Sequence, residues 1–270
     1  MDLGPALVAE LLLLGTVTGF LAGLLGVGGG MMMVPFMTLI LTNRGVETGL
    51  AVKMAIATSM ATILFTSLSS VRAHARHGAV RWDLLKGFAP GIVDGGLLAG
   101  AGIFSLVKGR GLAIFFALFI GYSAVQMLLD KKPKPGRQMP GPAGTAAVGA
   151  GIGLLSGLVG AGGAFMSVPF MLWCNVPVRQ AVGTSAALGF PIALANTAGY
   201  LIGGWGLPPP LPGAFGYLYV PALAIIALAS VTLAPLGART AHRTDVKKLK
   251  RLFSILLFGL AAYMGYRGLF

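Results

Sequence analysis

Residues 26–37 read GVGGGMMMVPFM, and residues 160–171 read GAGGAFMSVPFM. Each is a glycine cluster inside an apolar run, closed by Pro-Phe-Met. Glycine in a helix interior costs roughly 1 kcal/mol against alanine. Gly26, Gly28, Gly29 and Gly30 therefore mark a break in a helix and not its continuation. Inside hydrocarbon a break leaves backbone N–H and C=O groups without water, and each unpaired group costs several kcal/mol. What satisfies those groups is the question on which the function turns.

The surroundings of the breaks are those of a membrane protein. Of 270 residues, 56% are hydrophobic and 10% charged, against about 25% charged in a soluble domain; the mean hydropathy is +0.85. The opening MDLGPALVAE has no basic stretch ahead of its apolar run, so that run reads as structure and not as a cleavable signal. Cys174 is the single cysteine, which excludes an intramolecular disulfide and a multi-cysteine metal site. The net charge of +13 does not point to nucleic acid, because the basic residues occupy short loops between apolar runs, where they orient a chain in a lipid bilayer. The apolar stretches are 5–42, 50–71, 84–107, 110–129, 143–174, 178–203, 217–236 and 252–269. A crossing needs about 20 residues. Six stretches fit one crossing each; the first and fifth are too long and hold the breaks. DKKPKPGRQMPGP, at 130–142, is a polar, proline-rich linker between two halves.

The halves repeat. Gly19 to Met37 aligns without a gap on Gly153 to Met171, and KMAIATS at 53–59 lines up with RQAVGTS at 179–185. Basic residues then select a topology. If both broken stretches are re-entrant hairpins, 15 basic residues share one face: Arg72, Arg76, Arg81, Lys86, Lys131, Lys132, Lys134, Arg137, Arg179, Arg239, Arg243, Lys247, Lys248, Lys250 and Arg251. Only Arg44, Lys53, Lys108, Arg110 and Arg267 lie on the other. Single crossings would put the clusters at 72–86 and 130–138 opposite the one at 239–251, which the positive-inside rule disfavours. The expected fold is thus an all-α polytopic membrane protein of two inverted repeats, 1–129 and 143–270, each a glycine-broken re-entrant hairpin plus three transmembrane helices. Inversion follows from the odd number of crossings per half, and inverted repeats with broken helices are a recurring transporter architecture. An eight-span bundle with glycine at tight helix crossings is the plain alternative.

Pro35 and Pro169 lack an N–H and suit the first turn of a helix. They predict return helices starting near Met32 or Val34, and near Met166 or Val168. The free N–H groups there, with those of Gly28, Gly29, Gly30, Gly162, Gly163 and Ala164, would line the hairpin tips. A helix N-terminus carries about half a positive charge and unpaired donors, which makes it an anion site. Two such tips can hold a small oxyanion with no charged side chain in the membrane.

This pattern resembles the TauE/SafE family of sulfite exporters, also called the 4-toluene sulfonate uptake permease family, along nearly the whole chain. The likeness rests on GLLGVGGGMMMVPF (23–36) and GLVGAGGAFMSVPF (157–170), on AIATS (55–59) and AVGTS (181–185), on RHGAVRW (76–82), and on PLGARTAHR (235–243) with the following KLKRLF. It implies a secondary transporter of the cytoplasmic membrane that moves sulfite, sulfoacetate or other sulfonates and needs no cofactor. Some members export and others import, so direction does not carry over.

Other polar residues inside the spans have two readings each. Thr58, Ser59, Thr184 and Ser185 can complete an anion's hydrogen-bond shell or bond back to their own helices. Asn196, after the kink expected at Pro191, can meet substrate or serve the kink. Asp94 lies ten residues past Leu84, about 15 Å along a helix. It is a candidate for a coupling proton or for a local ion pair with Lys53 or Arg179. Lys53, Arg179 and Gln180 flank the starts of their spans, where they can draw anions inward or anchor the interface. Trp82, Trp173 and Trp205 suit an interfacial belt, and Met31, Met32 and Met33 suit apolar packing. An intramembrane enzyme lacks its kit: His74, His77 and His242 fall in basic loops and no HExxH occurs. An anion channel is the closer alternative, separable by saturation and counterflow.

Overall fold

A computed structural model of the chain describes residues 4–25, 29–129, 136–241 and 246–270. In chain order the elements are α1 (Pro5–Leu25), α2 (Gly30–Asn43), α3 (Thr48–Arg76), α4 (Trp82–Leu97), a π-helical stretch (Leu98–Ile103), α5 (Phe104–Leu106) and α6 (Gly109–Leu129). They continue with α7 (Pro142–Val159), α8 (Ala164–Trp173), α9 (Val178–Gly203), a two-residue hairpin β1 (Ala214–Phe215) and β2 (Leu218–Tyr219), α10 (Val220–Ala241) and α11 (Val246–Leu269). Among the described residues eight helices are long and apolar enough to cross a membrane; α2 and α8, of 14 and 10 residues, are not. Leu13, Leu118, Leu228, Leu252 and Ile255 face outward, as a lipid-facing surface requires. The chain is a multi-pass integral membrane protein.

The helix ends have local causes. Glu47 caps α3, its carboxylate accepting from the Leu50 N–H at 2.9 Å. Pro142 opens α7, where the missing N–H costs no bond. Gly160 ends α7 at φ 70° and Gly163 precedes α8 at φ 75°, left-handed values that glycine adopts without strain. Because Gly163 directly precedes α8 and Gly29 directly precedes α2, both short helices begin earlier than the prolines predict. Pro35 and Pro169 sit in the second turn and not the first, a correction to the proline argument.

Both short helices return toward the start of the helix before them. Arg44, just past α2, pairs with Glu10 near the start of α1 at 3.2 Å. The N–H groups of Gly136 and Arg137, just before α7, donate to the Trp173 carbonyl at the end of α8 at 3.1 and 3.2 Å. The Arg137 guanidinium lies 4.8 Å from the Trp173 ring centre.

The longer helices pair across the two halves: α1 packs on α10, α7 on α4, α3 on α9 and α6 on α11. Gly19 sits where a Cβ would collide with the Ser230 backbone, and its repeat partner Gly153 where one would collide with the Ile92 backbone. Small residues here let the helices approach closely. Direction is legible from such contacts. Along α3 and the loop after it, Ser67 meets Gly189 and then Ala79 meets Gly183, so α3 and α9 run antiparallel. Gly265 against Ala117 and Gly268 against Ile114 show the same for α11 and α6.

Candidate functional site

At the second break three carbonyls each accept a hydrogen bond from a side-chain hydroxyl. The last carbonyls of a helix have no partner within it. Here the buried Tyr200 hydroxyl donates to the Gly157 carbonyl, Ser59 Oγ donates to the Gly160 carbonyl at 3.1 Å, and Ser167 Oγ donates to the Gly163 carbonyl at 3.0 Å. The donors are different: among the described residues the N–H groups of Gly162, Gly163, Ala164 and Phe165 make no hydrogen bond. Gly162, Ala164 and Phe165 are half-buried. The break therefore presents four free N–H groups at the N-terminus of a ten-residue helix, next to the carbonyls of Ala161 and Gly162, which also make no hydrogen bond among the described residues. That is the electrostatic character of an anion site.

The first break meets the second. A Cβ on Gly30 would collide with the Gly160 carbonyl and stand 3.3 Å from Ser59 Oγ. Thr18 covers Gly29 from α1, its hydroxyl bonding back to the Leu14 carbonyl at 2.7 Å. Gly28 lies outside the described residues. Gly30 to Pro35 are buried, whereas most of the matching stretch in α8 is half-exposed.

The span hydroxyls divide by role. Thr58 Oγ1 accepts from the Tyr219 N–H at 3.1 Å, and Thr184 Oγ1 accepts from the Arg81 N–H at 3.0 Å. Tyr219 immediately precedes α10 and Arg81 immediately precedes α4. Each threonine thus reaches from one half to the matching helix start in the other. Ser185 Oγ lies 2.7 Å from Ser167 Oγ, one bond from the second tip. Asn196 is fully buried; its Nδ2 donates to the Ile192 carbonyl at 2.8 Å and to the Gly153 carbonyl at 3.2 Å. Neither is the Ala187 carbonyl that Pro191 leaves without its helical donor. Asn196 Oδ1 and Ser156 Oγ are buried and find no partner among the described residues. Ser156 Oγ is 3.2 Å from where a Cβ on Gly163 would stand, directly beside the tip.

Asp94 is exposed on α4 and pairs with neither expected cation. Lys53 Nζ instead donates to the Ser105 carbonyl at 3.1 Å, and Arg179 Nη2 to the His77 carbonyl at 3.0 Å. Gln180 is half-buried beside Arg179. Sequence reasoning missed Tyr200, Ser167 and Ser156. Tyr200 had a signal: it follows Asn196 by four residues, and the two hydrogen-bond α7 carbonyls that are also four apart.

Eight apolar spans with two short apolar helices among them define a polytopic membrane protein, and its likeness to known proteins makes its class a membrane transporter. The chain belongs to the sulfite exporter TauE/SafE family, which it matches over residues 11–264. It is similar to a probable membrane transporter protein of Haemophilus influenzae, 32% identical over 94% of this chain and 96% of that one. Similar proteins of the same description occur in Methanocaldococcus jannaschii (26% identical, 96% and 95% covered) and Bacillus subtilis (28% identical, 96% and 98% covered). No solved structure gives a significant match. The cytoplasmic membrane is the usual location of this family.

Proposed function

We propose that this protein is a secondary transporter of small sulfur-containing or organic anions, such as sulfite, sulfoacetate or other sulfonates. The anion is held by backbone N–H groups at the two glycine-rich tips and passed across by alternating access. The observation that carries this reading is the run of four consecutive uncovered N–H groups, Gly162 to Phe165, at the start of α8, beside a helix end whose Gly157 and Gly160 carbonyls are capped by Tyr200 and Ser59. Partial charges bind an ion that must also leave, where a buried arginine would hold it.

Three observations support two inverted repeats with re-entrant hairpins. The hairpin bases close through Glu10–Arg44 and through Gly136 and Arg137 on Trp173. The pairs α1–α10 and α7–α4 exchange under a twofold swap of the halves, and α3 and α6 run antiparallel to their counterparts. The Thr58–Tyr219 and Thr184–Arg81 bonds exchange under the same swap. The difference in exposure between α2 and α8 suits one end state of an alternating cycle, with the second hairpin the more accessible.

The reading is tested by thermal shifts of purified protein against sulfite, sulfate, sulfoacetate, taurine and thiosulfate, followed by counterflow in proteoliposomes. Stabilisation by at least one sulfur oxyanion, with saturable counterflow of that ion, is expected. Conductive flux without exchange would make the protein a channel, and no stabilisation by any of the five would remove the anion reading.

A further inference from the structure

Of the five basic residues on the sparsely charged face, two are accounted for by partners. Arg44 pairs with Glu10. Arg267 stacks on Tyr263 with its guanidinium carbon 5.6 Å from the ring centre. The other three, Lys53, Lys108 and Arg110, line one open cavity of about 460 Å³ with Glu47, Leu50, Leu207 and Tyr217. Orientation in a membrane does not require that convergence.

The fold builds it in steps. The π-helical stretch Leu98–Ile103 and the short α5 end one span, and a Cβ on Gly109 would collide with the Gly49 carbonyl, so α6 starts hard against the start of α3. Lys108 and Arg110 are thereby brought to the cavity that Lys53 lines. The Lys53 ammonium spends one N–H on the Ser105 carbonyl and lies 5.4 Å from the Tyr217 ring centre and 5.8 Å from that of Phe104. Its remaining donors are not taken up by any carboxylate among the described residues, where Lys53 forms no ion pair. Glu47, the one acid in the lining, is committed to the α3 start: backbone N–H groups of Gly49 and Leu50 hold its carboxyl below the usual carboxylate range, with Arg110 helping. Leu50, Leu207 and the Tyr217 ring supply apolar lining to the same cavity.

We propose that this vestibule is a second anion site, distinct from the tips, which captures a small organic anion: its charged head lies on Lys53, Lys108 and Arg110, its apolar body against Leu50, Leu207 and Tyr217. The volume suits such a ligand. Lys53 and Ser59 are six residues apart on α3, about 9 Å of helix rise, so an anion released here is one short step from the tips. This proposal rests on the anion-transport reading for its purpose but not for its test.

The test is calorimetric titration of benzoate into the full-length protein in nanodiscs, at low salt and at 0.5 M sodium chloride. The parent binds benzoate at low salt, and the Lys108→Gln/Arg110→Gln double variant binds it roughly tenfold more weakly. The difference shrinks at high salt, where exposed charges are screened. Tyr217→Leu keeps the cations and weakens benzoate several-fold while leaving the salt dependence in place. No benzoate binding by the parent, or equal binding by the double variant, overturns the vestibule, whatever the outcome of sulfite counterflow. Benzoate binding that obeys these variants in a protein without counterflow keeps the vestibule and sinks the transport reading instead.

Discussion

Tyr200→Phe isolates one hydrogen bond of the second break. Phenylalanine fills the same fully buried space and keeps the ring contact with Phe104, whose centre lies 4.5 Å away. Only the hydroxyl on the Gly157 carbonyl is lost. That carbonyl has no helical replacement, because the Ala161 N–H that would reach it turns to the Ser156 carbonyl at 3.4 Å. A buried acceptor left without a donor costs about 1–3 kcal/mol. Each kcal/mol lowers the melting temperature by about 2–4 °C in a chain near this size, so the variant should melt roughly 2–12 °C below the parent. The assay is thermal unfolding of monodisperse protein in detergent, with Tyr217→Phe as control. The Tyr217 hydroxyl makes no hydrogen bond among the described residues, so its loss should stay within about 0.5 kcal/mol. If the two variants melt together, Tyr200 does not cap α7, and the capped helix end beside the open N–H groups loses its main support.

Three further outcomes follow from the same geometry. Gly163→Leu would place a Cβ 2.6 Å from Ile192 Cδ1 at a backbone φ of 75°; it and Gly29→Leu should lower sulfite affinity about tenfold or more wherever the variant stays monodisperse, and unchanged calorimetric affinity would count against the tips. On a Cys174→Ser background, a cysteine at Asp2 should label from outside the cell and one at Gln138 from the cytoplasm, and cytoplasmic labelling at Asp2 would reverse the hairpin topology. Asp94→Asn should abolish pH-driven transport while leaving substrate exchange, if Asp94 carries a coupling proton; an unaltered pH profile reduces it to a surface residue of α4.

The helical, many-spanning class was legible because hydropathy and charge spacing respond to the bilayer and little else. The two interruptions were legible because glycine chemistry is local. The positions of Pro35 and Pro169 were misread for a reason also local in origin: a left-handed glycine at 163 starts α8 earlier than a proline would. What polar side chains do at the breaks was only half visible. Ser59 and Ser185 lie at or one bond from the second tip, but Thr58 and Thr184 spend their oxygens on backbone N–H groups at the far helix starts, more than a hundred residues away in sequence. No periodicity reports such a contact. Tyr200 reads as a core aromatic until the end of α7 is placed beside it, and Lys53 reads as an interface anchor until the π-helical stretch turns the Ser105 carbonyl toward it.

The central claim is that backbone N–H groups, and no charged side chain, hold the anion. It is tested most directly by replacing the amide of Phe165 with an ester through α-hydroxy-acid incorporation, which deletes one N–H and leaves every side chain in place. An ester at Leu188, deep in α9, controls for the weaker carbonyl that the exchange creates. Sulfite affinity is measured by calorimetry on the parent and both esters. A charge-assisted hydrogen bond of about 1.5–3 kcal/mol corresponds to roughly tenfold or more in affinity, so the Phe165 ester should bind at least tenfold more weakly while the Leu188 ester binds like the parent. Equal sulfite binding by the Phe165 ester and the parent would contradict the account.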